Sequence, residues 1–217
     1  MKRREFSAGL GLWASASAGA LWPTSVVLAQ GKPTVGADFL ALDKRAPVEN
    51  AGKIEVVEFF WYKCPHCNAF EPALENWIKK LPKDVVLRRV PVGFRDDFAP
   101  LQRLYYSLEA MGQLDKVHAK VFTAIHAEKL SLDKGDQIAD WVAKQGLDRA
   151  KFMEQYNSFT VSTKVTKATQ LQNQYHVEGV PALGVAGRFY TDGTLSKNMD
   201  RALQVVDYLI GEVRAGK

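Results

Sequence analysis

Thiols are scarce in this chain. Its 217 residues include two cysteines, Cys64 and Cys67. A four-thiolate zinc site and a disulfide-dense scaffold are therefore excluded, and one disulfide is the most the chain can form within itself. Long apolar runs are scarce too. No stretch of 18 apolar residues follows Ala29, so nothing beyond that point reads as a membrane span. Nor is charge of one sign concentrated. The net charge is +5, part of it from Lys2, Arg3 and Arg4 at the start, and Arg88-Arg89 and Lys79-Lys80 are isolated pairs. That pattern argues against a nucleic-acid partner. There is no internal repeat and no low-complexity segment. What remains is 47% hydrophobic and 24% charged, the composition of a globular chain with one compact domain and room for an insertion.

The amino terminus has the three regions of a secretory signal. Met1 to Glu5 is basic, Phe6 to Leu21 is small and apolar, and Val27-Leu28-Ala29 offers residues a signal peptidase reads. Cleavage is expected after about Ala29. A membrane anchor is the competing reading, but Gly, Ser and Pro23 interrupt the segment. Arg3-Arg4-Glu5-Phe6 fits a twin-arginine motif and equally fits a plain positive start, so the Sec and twin-arginine routes both stay open. Either way the mature chain, from about Gln30, is expected outside the cytoplasm.

Hydrophobic patterning then predicts an α/β order. Phe39 to Leu42 reads as a first strand and Ile54 to Tyr62 as a buried central one. Phe70, Leu74, Trp77, Ile78 and Leu81 recur at helical spacing, predicting a helix from about Cys64 to Leu81. Val85 to Val92 reads as another core strand. About five helices follow, the fourth capped by Asp148. Ala182 to Val185 and Arg188 to Thr191 read as a hairpin around Ala186-Gly187, and Leu203, Val206, Leu209 and Val213 mark a last helix. A sheet domain interrupted by a helical insertion is the expected architecture.

Both cysteines lie in Cys64-Pro65-His66-Cys67, just after a predicted strand and at the start of a predicted helix. A purely structural bridge across so short a loop would remove little chain entropy. Half of a metal site would need partners, and His118, His126 and His176 are scattered, so no resident metal is expected. CxxC at a strand-to-helix switch in an exported protein points instead to redox work. Cys64 at a helix N-terminus gains from the unpaired N–H groups and the helix dipole. Pro65 suits the first turn, and His66 and Lys63 can add positive charge. A stabilised thiolate leaves readily, so the disulfide should be oxidising. Cys67, one turn in, should be the less exposed, resolving thiol. Glu58 stands inside the central strand, where a carboxylate is costly unless paired or protonated. It is expected beneath the helix start, moving a proton at Cys67; the alternative is a strand-end residue facing solvent or a lysine. Gly179-Val180-Pro181 precedes the hairpin, and a cis bond there would leave backbone free to pair with an extended client.

These residues together resemble the DsbA-like thiol:disulfide interchange proteins of the bacterial periplasm. The matching segments are Glu58-Phe59-Phe60, Cys64-Pro65-His66-Cys67, Phe70-Glu71 and Gly179-Val180-Pro181-Ala182. The resemblance implies a thioredoxin-like fold with an all-helical inserted domain. It gives a signal over 1–29, a first thioredoxin-like part over 30–96, the insertion over 97–166 and a second part over 167–217. It implies that Cys64 exchanges, Cys67 resolves, Pro181 is a cis-proline opposite the disulfide with Val180 tuning the pair, and Glu58 and Glu71 are acidic positions near the site. Implied partners are reduced, unfolded exported proteins and a quinone-linked, DsbB-like inner-membrane reoxidant, with no cofactor and a monomeric chain. Two departures stand out: Trp61-Tyr62-Lys63 is a less apolar approach to the motif, and Ala186-Gly187 replaces an Asn-Gly turn. An isomerase or reductant with the same site is the near rival; a peptide-holding module and a carrier of a soft metal ion are rivals of another class.

Overall fold

The computed structural model describes residues 31–216; the leader expected over 1–29 lies outside them. Five strands form one sheet: β1 (Leu40–Ala41), β2 (Ile54–Phe60), β3 (Val85–Pro91), β4 (Ala182–Val185) and β5 (Phe189–Asp192), in the order β1-β5-β4-β2-β3. β2 runs parallel to β3 and antiparallel to β4. With partners on both edges and cover on both faces, it is buried from Glu55 to Phe60. Side chains alternate along it. Val56 and Glu58 share the face covered by α1 (Pro65–Ile78), where Val56, Phe70 and Leu74 pack with Leu183 and with Val206 and Leu209 of the carboxy-terminal helix. Val57 and Phe59 join a second core that continues into the helical part through Tyr175 and Val177.

That part is a 3-10 turn at Asp96–Phe98 followed by α2 (Ala99–Ala110), α3 (Leu114–His126), α4 (Gly135–Lys144), α5 (Arg149–Tyr156) and α6 (Phe159–Gln174); α7 (Met199–Arg214) closes the chain. Local chemistry sets the ends. Asp148 accepts from the N–H groups of Ala150 and Lys151, and Ser158 from that of Val161. Some boundaries differ from the sequence expectation. The first helix stops at Ile78, because Lys79 caps it before Pro82. β1 shrinks to the two residues that pair with Phe189 and Tyr190. Residue 166, drawn as the end of the insertion, lies inside α6, which carries Val161, Ala168 and Leu171 into the core as one uninterrupted stripe with no Gly or Pro to break it. The hairpin turns at Ala186 and Gly187, both at positive φ (54° and 67°), and Arg188 N–H donates to Val185 O at 2.9 Å.

Candidate active site

Cys64 is the N-cap of α1, with extended backbone and Pro65 in the first turn. No side chain caps this helix start, so its N–H groups are directed at the Cys64 sulfur. The thiol is drawn down to about 6. The largest cause is a hydrogen bond from the Cys67 side chain; burial opposes it, and the N–H groups of Cys67 and His66 and the His66 charge add to it. Cys67 behaves oppositely. It is fully buried, against 8% exposure for Cys64. Burial first, then the neighbouring Cys64 and the charge of Glu58, push its thiol well up. Both thiols are free, so the pair is in its dithiol form.

Across from the pair, Val180 and Pro181 are joined by a cis bond. The Val180 carbonyl oxygen accepts from Cys64 Sγ at 3.3 Å. The adjoining groove of about 600 Å³ is lined by His66, Phe70, Val180, Pro181 and Met199 among others. His66 is exposed on its rim.

Beneath the helix start lies an ion cluster. Glu58 is fully buried and sits opposite Arg89 in the parallel register. Arg89 Nε donates to Glu58 Oε2 at 3.0 Å, while its Nη2 reaches Glu71 Oε2 at 3.3 Å and Glu75 Oε1 at 2.7 Å. Burial pushes Glu58 up to about 8, opposed by Arg89 and reinforced by Glu71 and Glu75. The second oxygen of Glu58 has no hydrogen-bond partner, which leaves it free to carry that proton. The solvent-facing or lysine-paired alternative for Glu58 is thus replaced by a buried arginine pair. Lys63 stands apart from this cluster: it pairs with Asp133, which also accepts from Ser131, so its charge is answered by the segment between α3 and α4. The loop before Cys64 is held from α3 as well. His118 Nδ1 lies 2.8 Å from Tyr62 Oη, and His126 Nε2 lies 2.8 Å from the Tyr62 carbonyl oxygen.

The family model described as DSBA-like thioredoxin domain matches residues 89–204. The thiol:disulfide interchange protein DsbA of Burkholderia cepacia is 42% identical over 88% of this chain and 92% of its own length. That of Bordetella pertussis is 43% identical over 91% and 95%. The crystal structure of Pseudomonas aeruginosa DsbA superposes with a TM-score of 0.81 at 40% identity, covering 85% of this chain and 96% of that one. This chain belongs to the DsbA-like thioredoxin-domain family. It has the family's α/β thioredoxin-like fold with a helical insertion, and it is a thiol:disulfide oxidoreductase of the kind that introduces disulfide bonds.

Set in this DsbA-like frame, the residues picked out from sequence separate into three places. His66, Val180 and Pro181 line the groove, Cys64 reaches it through the Val180 carbonyl, and Pro65 and buried Cys67 flank Cys64 in the first turn of α1; Glu58 and Glu71 meet at Arg89; Lys63 turns aside to Asp133. Arg89, Glu75, Tyr62 and His118 were not anticipated. A signal for Arg89 existed: two adjacent arginines in a core strand point to opposite faces, and each needs a buried acid. Arg88 finds Glu55 at 2.9 Å as Arg89 finds Glu58. No sequence signal marks His118, which joins the site only through the packing of α3.

Proposed function

We propose that this chain transfers its Cys64–Cys67 disulfide to reduced, unfolded exported proteins in the periplasm. The opposite displacement of the two thiols carries the reading: Cys64 gives up its proton near pH 6, and buried Cys67 keeps its own. A client thiolate attacks Cys64 Sγ, and the bond to Cys67 breaks as the mixed disulfide forms. Cys67 leaves with the electron pair and takes a proton from Glu58. The client's second thiolate then attacks the client sulfur of the mixed disulfide, and Cys64 departs as a thiolate. Two client sulfurs are oxidised and the two protein sulfurs reduced. Low basicity makes Cys64 a good leaving group, so transfer runs toward the client.

On this proposal Val180 and Pro181 present backbone to an extended client. Pro65, His66 and Glu71 adjust the pair from its flanks, while the expected contribution of Lys63 is reduced by its pairing with Asp133. The insertion of 97–166 lies between two sheet-forming parts, 30–96 and 167–217. A quinone-linked, DsbB-like inner-membrane protein restores the disulfide, and the chain works as a monomer without a cofactor. Among the described residues no helix is long and apolar enough to cross a membrane. The test is refolding of a reduced disulfide protein with and without the oxidised chain, with the reduction potential measured alongside. Acceleration that Cys64→Ser abolishes, with a potential well above the roughly −270 mV of thioredoxin, is the expected result. A potential near that of thioredoxin would make the chain a reductant.

A further inference from the structure

Three carboxyl groups converge on one guanidinium, Arg89 of β3: Glu58 of β2 and Glu71 and Glu75 of α1. Fully ionised, the group would carry two uncompensated negative charges at a largely buried place, which is strongly unfavourable. One proton is therefore shared. The Glu75 side chain is 46% exposed and reached by water, whereas Glu71 is 12% exposed and Glu58 not at all. The choice lies between Glu58 and Glu71.

His118 of α3 faces this choice from the other side. Its ring sits among Phe60, Tyr105 and Phe122. Burial holds the Tyr62 hydroxyl far above its usual range, so it keeps its proton and is able to donate. The hydroxyl lies 2.8 Å from His118 Nδ1. A carboxylate oxygen of Glu71 beside Nε2 favours the neutral imidazole with its proton there, and Nδ1 then accepts from the Tyr62 hydroxyl. That Nε2 is buried, has no hydrogen-bond partner, and lies 3.5 Å from Glu71 Oε2. Burial lowers the pKa of His118, with Arg89 acting in the same direction and Glu71 and Glu75 against it, so the ring is neutral at pH 7.

We propose that Tyr62 and His118 form a positioning device for the shared proton: the fixed Nε2–H, aimed at Glu71, keeps Glu71 the ionised partner and leaves the proton on Glu58 beside Cys67. This rests on Glu58 being the proton donor to Cys67 and adds what sets its protonation. The charged and titratable groups facing the proton are Arg89, Glu71, Glu75, His118, Tyr62, Tyr105 and Cys67. Without the donor, Glu71 competes for the proton and Glu58 releases it at lower pH.

The test follows the infrared carbonyl band of the protonated buried carboxyl against pH in the full dithiol chain, together with the pH profile of thiol exchange. His118→Phe should move loss of the band down by about half a unit to one unit, and the exchange profile should move with it. His118→Gln, whose amide nitrogen can take the place of Nε2, should restore both. Tyr62→Phe frees the ring to change tautomer and should shift both in the same direction. In the unaltered chain, nitrogen NMR should find the His118 proton on Nε2, a measurement independent of whether any variant folds. A proton on Nδ1, or a band unmoved by His118→Phe yet abolished by Glu58→Gln, overturns the inference. A band that survives Glu58→Gln overturns the reading of Glu58 itself.

Discussion

Glu58 shows how one residue is given two tasks by its surroundings. One oxygen accepts from Arg89, and the other, without a partner, is free to hold a proton. A carboxyl whose folded pKa lies above its unfolded value binds a proton that the unfolded chain has already released. Stability is therefore undiminished below pH 4.5 and falls as pH rises toward about 8. Glu58→Gln removes that liability while keeping an acceptor for Arg89. Relative to the unaltered chain it should gain on the order of 1–3 kcal/mol between pH 4.5 and 8, measured by urea unfolding, while losing exchange rate at Cys67. A gain that does not vary with pH would mean the carboxyl is ionised throughout. Glu58 itself was visible in the sequence because a carboxylate stood out in an apolar run. Glu55, three residues earlier in that run and equally buried, drew no expectation. What hid the rest of the cluster is separation along the chain: Arg89 lies 31 residues beyond Glu58, and His118 lies 56 beyond Tyr62. Nothing local in β3 or α3 says which acid or hydroxyl each will meet.

At the scale of elements, β4 carries the burden of presenting Val180 and Pro181 to Cys64. The strand is short, so its hold on the sheet depends on close approach to Tyr175 at the end of α6. A methyl group at Gly184 would lie 2.3 Å from Tyr175 Cε1. The ring has little freedom to yield, since it is edge-on to Phe59 and its hydroxyl accepts from Gly187 N–H at 3.0 Å. Gly187 is constrained twice, by positive φ and by Ala46 O, which a methyl would meet at 2.2 Å. Gly184→Ala should therefore cost about 2–3 kcal/mol through overpacking, lowering Tm by about 5–10 °C. It should also slow client exchange, because β4 follows Pro181 directly. An unchanged Tm would show that the ring relaxes freely. The hairpin was readable from Gly187 and its flanking apolar residues, and the helices from their stripes and from Asp148. The packing of an aromatic ring onto Gly184 was not, because a glycine in a strand announces close approach without naming the neighbour.

For the whole molecule, the dithiol chemistry becomes a stability difference between redox forms. In the reduced chain, the Cys64 thiol has a folded pKa of about 6, below its ordinary value. A depressed acid contributes stability that is fully present above the unfolded pKa of about 8.5 and is lost as pH falls through 6. Cys67 has the opposite displacement, so its contribution declines once the unfolded thiol ionises above about pH 8.5. The oxidised chain has neither thiol, so both of these contributions belong to the reduced form alone. The reduced form should therefore gain on the oxidised form as pH rises from 6, and the gap should peak near pH 8–9. Urea midpoints of both forms across pH 5 to 9.5 test this. A gap flat with pH would mean that Cys64 is not held as a thiolate by the α1 terminus, and the drive to give the disulfide away would then need another source. The peak also separates the two thiols without mutating either: its rising side reports Cys64 at the groove, and its falling side reports Cys67 above Glu58.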